Sequence, residues 1–579
     1  MKKIFWVTAL AMLIVCMTVF AACELTNIPS TDTPPTSDPM TDPTTEATAD
    51  TTTEEPAADA TESFDAVEEA TGDFTIVTTG ETAAYTSEGN VYTLTGAGTY
   101  TLSGALTGQI LVNAGEKDEV EIVLSGVTIT YGSDSPIKVV SADKVEISAE
   151  KDTENVIKDT RAAKTVDSDA QGEGAISANC DLKLKGNGVL VVEAAYNNGV
   201  HTTKDLTIQK LSLKVTAVNN ALKGKDSLTV KSGTIVAIST KGDGIKTEDT
   251  DLSSKGNQRG NVEIQDGNVT IYAAGDGIQA SYDFVMTGGN LTVYTGSYSS
   301  YTASNASTTS YKGIKAGNEL NISSGTLNIR SYDDGLHADY DTTLENGEKS
   351  LGNITISGGE ITIGVYSPTK STAGGRSIRG GFGGWGGQQT VSGSDAIHAD
   401  NTLTISGEAI IHIDSAYEGL EATHILIQGG TTTVYATDDG VNAAKKANNS
   451  PTIVVSGGTL DVTVPSGDTD GIDSNGTYKQ TGGMVITRGP GSASGSMGGG
   501  AFALDTDGGI TLQGGTLIVF GGIEGTPSAS GMTKTLCSSS TVSAGSHTVT
   551  VGGNTYNVEL KYSSSGCVVY SDSGSATLK

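Results

Sequence analysis

A short phrase recurs along this chain: an acid, then Gly or Ala, then an apolar residue. It reads Asp243-Gly-Ile245, Asp276-Gly-Ile278, Asp334-Gly-Leu336, Asp395-Ala-Ile397, Glu418-Gly-Leu420, Asp439-Gly-Val441 and Asp470-Gly-Ile472. Weaker copies, Asn198-Gly-Val200 and Asn220-Ala-Leu222, precede them. A second set of acids, Glu248, Asp339 and Asp400, follows five residues on, and Asp333, Asp438, Asp468 and Asp473 add density. If the phrases stack, their carboxylates form columns about 4.8 Å apart, the spacing of adjacent strands. Unit charges at that distance repel by about 1 kcal/mol in water and a few kcal/mol at an effective dielectric of about 20. Such columns must splay, take up protons or bind cations. Hard oxygen donors on a rigid scaffold suit Ca²⁺, which takes about six to eight oxygens. Asp-Gly is also ordinary turn chemistry with solvated acids, but turns alone do not call for two adjacent columns. The densest groups are Asp333/Asp334/Asp339, Asp395/Asp400 and Asp468/Asp470/Asp473, where Ca²⁺ is expected. No EF-hand loop is present.

Other residues bear on chemistry. Asp334-Gly-Leu-His-Ala-Asp339 and Asp395-Ala-Ile-His-Ala-Asp400 are near duplicates, so His337 and His398 share a place. Alternation after an inward apolar residue predicts both histidines on the surface beside acids, with proton transfer as the other role open to them. The Gly-rich stretch from Gly374 to Gly387 holds Arg376, Arg379 and Trp385. Trp over a sugar ring and Arg against a uronate carboxylate would bind carbohydrate, and Tyr298 and Tyr301 offer further platforms. A loop whose aromatics tuck back onto the fold is the plainer alternative.

The elements that would position these groups are short strands. Between the acid phrases lies a second one, Gly-x-apolar-x-apolar, as in Gly267-Asn-Val-Thr-Ile271 and Gly458-Thr-Leu-Asp-Val462. A third short apolar run, such as Leu403-Thr-Ile405, separates the two. Three strands per repeat, with a shortest spacing of 21 to 24 residues between equivalent positions, predict an all-β solenoid: a single-stranded parallel β-helix with three strands per coil. No coil buries its own apolar residues; stacking does so and satisfies the backbone. Longer intervals, such as Leu336 to Ile397, mark loops thrown out from one coil.

The chain has 35 Lys+Arg against 67 Asp+Glu, a net charge of −32. That argues against a nucleic-acid partner, which needs clustered basic residues. Lys2 and Lys3 precede an apolar run that ends at Ala21-Ala22-Cys23, the pattern of a secretory signal over residues 1–22. Cys23 directly after it is expected to carry a lipid and to be the one membrane attachment, which places the protein on the bacterial surface. Residues 23–71 are rich in Thr, Pro and acids and poor in large apolar residues, so they are expected to form a disordered tether. The β-helix spans 72–532 and a cap region 533–579. Cys180 is expected to be buried, and a Cys537–Cys567 bond is left open.

The stacked Gly-Thr-Leu and Asp-Gly-Ile phrases, the Gly-rich inserts and the lipoprotein start together resemble bacterial surface carbohydrate-binding domain proteins. The resemblance covers roughly residues 72–530. It implies a right-handed β-helix related to pectate lyases, Ca²⁺ at the acidic corners, and non-catalytic binding of plant cell-wall polysaccharide such as polygalacturonate, with cellulose a second candidate. Two alternatives stand beside it. Asp468-Thr-Asp-Gly-Ile-Asp473 looks like the acidic motif of polygalacturonases, though that family's Gly-His-Gly and Arg-Ile-Lys motifs are missing here. A lyase would need a basic side chain near the metal, with Lys246, Lys312 and Lys315 as candidates. The third reading is an adhesin or spacer without sugar specificity.

Overall fold

Alternating apolar residues, such as Leu206 and Ile208 or Leu213 and Val215, dictate strands with one buried edge. The computed structural model describes residues 67–165, 171–296, 310–365, 393–445, 450–467, 469–491 and 501–579. Cys23, Tyr298, Tyr301, Arg376, Arg379, Trp385 and Asp468 lie outside the described residues. Among the described residues there is no helix, and 44 strands join in one largely parallel sheet.

From Ile137–Ser141 to Ile314–Ala316, each strand pairs in parallel with the strand three further along the chain. Asn198–Thr202 pairs with Leu222–Gly224, Asp205–Gln209 with Ser227–Val230, and Leu211–Ala217 with Gly233–Ser239. Register therefore sets like on like. One ladder runs Val200, Leu222, Ile245, Ile278, Ile314, Leu336, Ile397, Leu420, Val441, Ile472. A second includes Leu228, Val262, Phe284, Leu320 and Ile354, and a third Ile235, Val269, Leu291, Leu327 and Ile361. All of these side chains are buried. The core is thus three apolar faces, each built of stacked columns such as these, which explains how a chain with only 36% hydrophobic residues folds.

The third column carries two buried polar residues, Asn155, which is hydrogen-bonded, and Thr432, which is not. Thr432 stands between Ile411 and Leu460, fully buried, and its Oγ1 has no hydrogen-bond partner. An unmet buried hydroxyl costs about 1–3 kcal/mol. Thr432→Val, close in shape, is expected to raise stability by about 1 kcal/mol, read as a higher melting temperature. A lower one would show that the hydroxyl is satisfied in solution.

The two glycine phrases work differently. Gly289, Gly325 and Gly458 adopt positive φ at 79°, 96° and 73°, where a side chain is strained. The glycines of the acid phrase do not. There the need is space: a Cβ on Gly440 would sit 2.6 Å from Gly471 O and 2.2 Å from Val462 Cγ1.

Asp283, at a corner of the second ladder, accepts hydrogen bonds from Asn318 Nδ2 (2.8 Å) and Glu319 N (3.1 Å). Burial outweighs these bonds and pushes its carboxyl up to about 6. A raised carboxyl binds its proton more tightly in the folded state. Stability should therefore fall as pH rises from the unfolded value near 4 through about 6. Asp283→Asn keeps the acceptor and removes the charge. It is expected to gain roughly 2 kcal/mol at pH 7.5 and to flatten the melting profile across that window.

Near the C terminus the pattern turns antiparallel. Thr533–Ser538 pairs with Cys567–Ser571, which also runs along Ile510–Phe520, and Gly545–Val551 pairs with Asn554–Leu560. A second apolar cluster, including Ile518, Phe520, Val549, Val558 and Val569, fills this part. Cys537 and Cys567 are free thiols on neighbouring strands, so the bond left open by sequence is not formed here; Cys180 is buried, as expected.

Candidate functional site

The acid of each phrase sits where the chain enters the first ladder. From Gly244 onward, the backbone N–H after it donates to the next repeat: Gly244 N to Asp276 O, Gly335 N to Asp395 O, Gly440 N to Asp470 O. That bond fixes the column. The side chain adds a second link. Asp276 N donates to Asp243 Oδ1 (2.9 Å), Lys312 N to Asp276 Oδ1 (2.8 Å), Asp395 N to Asp334 Oδ1 (2.9 Å) and Asp470 N to Asp439 Oδ1 (2.8 Å). Asn198 and Asn220 do the same earlier: Asn198 Oδ1 accepts from Asn220 N and Asn220 Oδ1 from Asp243 N. One oxygen of the side chain therefore caps the neighbouring backbone, and this job needs an acceptor but no charge.

The column also contains a cation that the spacing did not reveal. Lys312-Gly-Ile314 occupies the same frame, between Asp276 and Asp334. Lys312 Nζ lies 2.5 Å from Asp334 Oδ2 and 3.2 Å from Asp333 Oδ2. Burial raises the Asp334 carboxyl, but Lys312 and His337 outweigh it and hold it well below the usual range. The partner column, formed by the residue after the buried apolar one, runs Lys223, Lys246, Gln279, Lys315, His337, His398, Glu421, Asn442, Asp473, Asp505. Its sign reverses between His398 and Glu421. On the cationic side, Lys246 pairs with Asp243 (2.8 Å), Lys223 with Glu248 (3.0 Å) and Lys315 with Asp339 (3.0 Å).

The histidines correct an expectation. They are not solvated surface groups. His398 is buried, His337 largely so, and the rings stack at 4.8 Å between centroids. His337 Nδ1 meets Asp334 Oδ2 at 2.9 Å and its Nε2 meets Asp339 Oδ1 at 3.0 Å. His398 repeats the pattern with Asp395 (2.7 Å) and Asp400 (3.1 Å) and adds Glu421 at 2.9 Å from Nδ1. The stacked apolar columns turn this outward position into a trough whose walls are the neighbouring acids. Burial alone would lower the His398 pKa, yet bonds from Asp395, Asp400 and Glu421 push it well above its ordinary value. Burial is also outweighed at Asp339, which His337 and Lys315 bring down to about 2, and at Asp400, which His398 and the Tyr340 N–H lower.

Past the reversal, the shifts point the other way. Burial, with Asp395, Glu421 and Asp439 nearby, pushes Glu418 well up. Burial and the charges of Asp438, Asp470 and Asp473 do the same to Asp439. Asp505 rises to about 8 through burial, Glu524 and Asp470. Before the reversal, Asp276, under burial and beside Asp243, also rises, to about 6, and burial with Asp334 nearby pushes Asp395 well up. Asp439, Asp470 and Asp473 bring carboxylate oxygens within 4.8 Å of one another, an all-oxygen donor set. Of the three densest groups read from sequence, two are thus threaded by Lys or His, and the described members of the third, Asp470 and Asp473, are gathered with Asp439. Glu421, Asn442 and Asp505 escaped that reading, and Lys312 entered it only as a candidate lyase base; the frame of the acid phrase is the signal that locates all four.

Residues 88–367 match the carbohydrate-binding domain-containing protein family. A protein of that description from Acetivibrio thermocellus is 39% identical over 111 residues, 19% of this chain. The match spans 39% of that relative's length. A solved structure described as a polysaccharide lyase-like protein from C. thermocellum, as a gadolinium derivative, is 33% identical, covers 41% of this chain and 90% of its own, and has a TM-score of 0.36. The segment matching the carbohydrate-binding domain family holds the Lys-bearing half of the trough and His337; His398 and the acidic half lie beyond it.

Proposed function

We propose that the protein is a non-catalytic, calcium-dependent carbohydrate-binding protein, built as a right-handed parallel β-helix and held on the bacterial surface by lipid on Cys23. Its ligand is acidic plant cell-wall polysaccharide, polygalacturonate before cellulose. The observation that carries it is the acidic end of the trough: Asp439, Asp470 and Asp473 converge while burial pushes neighbouring carboxyls up. Asp439, Asp470 and Asp473 would hold Ca²⁺, which supplies positive charge between a protein of net charge −32 and a polyuronate. The family match of residues 88–367 supports a sugar ligand.

Two details speak against the enzyme alternatives. A lyase base must be a neutral amine, whereas Asp334 and Asp333 outweigh burial and hold Lys312 protonated far above neutral pH. One carboxylate oxygen from each of Asp439, Asp470 and Asp473 converges within 4.8 Å, which suits a shared cation better than an acid and a base placed on opposite sides of a bond. The test is incubation with immobilised polygalacturonate. Retention in calcium and release by chelator are expected, with no unsaturated product and no new reducing ends. Either product would replace binding with catalysis, and absence of retention on both pectin and cellulose would leave the adhesin.

A further inference from the structure

The histidines are left over from an oxygen-only calcium site. We propose that His398 Nδ1, Asp395 Oδ2 and Glu421 Oε2 form a separate site for one divalent transition ion of the zinc class. The three atoms already converge: Nδ1 lies 2.7 Å from the Asp395 oxygen and 2.9 Å from that of Glu421, and all three fall within 4.8 Å of one another. Ligand bonds of about 2.0–2.2 Å around a tetrahedral ion put neighbouring donors about 3.3 Å apart. The two Nδ1–oxygen pairs need to open by only about half an ångström to accept one.

The donor chemistry sets the class. Ca²⁺ and Mg²⁺ take oxygen, while neutral imidazole with carboxylates suits Zn²⁺, Co²⁺ or Ni²⁺. One nitrogen and two oxygens leave a fourth position for water or a ligand oxygen. The ring is oriented from behind, because Asp400 Oδ1 holds Nε2 at 3.1 Å, the carboxylate–histidine–metal arrangement that fixes which nitrogen binds. His337, stacked at 4.8 Å, limits ring rotation further. All three ligands are 6–8% exposed, so two negative groups share a space with little water to screen them. At His337 the equivalent carboxylate oxygen, Asp334 Oδ2, is already engaged by the Lys312 ammonium. The position of His398 beside Glu421, where the partner column changes sign, makes the difference.

The test uses the full chain, stripped of metal and titrated with Co²⁺ in millimolar Ca²⁺, and reads the visible ligand-field absorption. One equivalent of Co²⁺ with bands of a nitrogen-containing site, displaced by equimolar Zn²⁺, is expected. His398→Gln should weaken Co²⁺ by at least about tenfold, and Asp473→Asn should leave it unchanged. If His398→Gln melts abnormally by circular dichroism, Glu421→Gln takes its place with the same expected loss. Absent bands, displacement by Ca²⁺, or unchanged affinity in the ligand variants would overturn the site and leave a protonated imidazole bridging two acids. A parallel Ca²⁺ melting series on Asp473→Asn reports the calcium proposal separately.

Discussion

Replacing Asp439 and Asp473 together by asparagine is expected to reverse the order of stability between calcium and chelator. In calcium the wild type should melt higher than the variant, and in chelator lower. An ion at 100 times its dissociation constant stabilises the folded state by about 2.7 kcal/mol, and the variant forfeits that. Without the ion, clustered acids whose pKa values are raised by burial and by one another destabilise the fold at neutral pH. The sign follows from proton binding: such groups hold protons in the folded state at a pH where the unfolded chain has released them. Chelated wild type should therefore lose stability as pH rises from about 4 through the raised values, about 8 at Asp505. The variant has fewer like charges and should show a shallower slope. Asparagine at 439 still accepts the Asp470 N–H, as Asn220 does for Asp243, so the stack survives the change. Calorimetry with and without calcium measures both arms. Parallel curves for the two proteins would sink the calcium assignment. Retention on polygalacturonate should fall with the same substitutions.

Lys312→Met should be the most damaging single change in the cationic half. The ammonium is the cation built into the acid column, 14% exposed, and its removal leaves Asp334 at 9% exposure. Removing one partner of a buried ion pair costs about 3–5 kcal/mol, because the other charge remains. Asp334 is held low in the wild type, so its contribution is present above the unfolded value near 4 and disappears as pH falls through the folded one. In the variant that carboxyl can be neutralised by a proton instead. The deficit should be largest near pH 7 and should shrink toward pH 4, measured by denaturant unfolding at both. A pH-independent deficit would mean that Lys312 acts by packing its alkyl stem. Lys312→Arg should recover only part of the loss, because the trough is shaped for a compact ammonium.

Much of this molecule follows from its repeats. Val200, Leu222 and Ile245 share a phrase, and a phrase repeated at strand length can bury its apolar residues only by stacking on itself. The three columns and the place of the acids were therefore legible. Repetition also led one step too far. Seven matching acids look like one uniform column of charge, yet Asn198 and Asn220 show that the shared task is to accept a backbone hydrogen bond. Charge beyond that task varies from rung to rung. His337 and His398 were placed on the surface because alternation tells inward from outward and nothing about what stands beside an outward group.

The sequence by itself determined the period, the three buried ladders, the close glycine contacts and the alignment of the acids, because each depends on spacing within one repeat. Only the tertiary structure decided which acids are neutralised and which crowd together. Asp334 meets Lys312 from the repeat before it and Asp395 from 61 residues later, across an insert whose length leaves no trace in the register. Charges act through space at a few ångströms in a trough screened from water. That distance is set by stacking, and separation along the chain does not enter it.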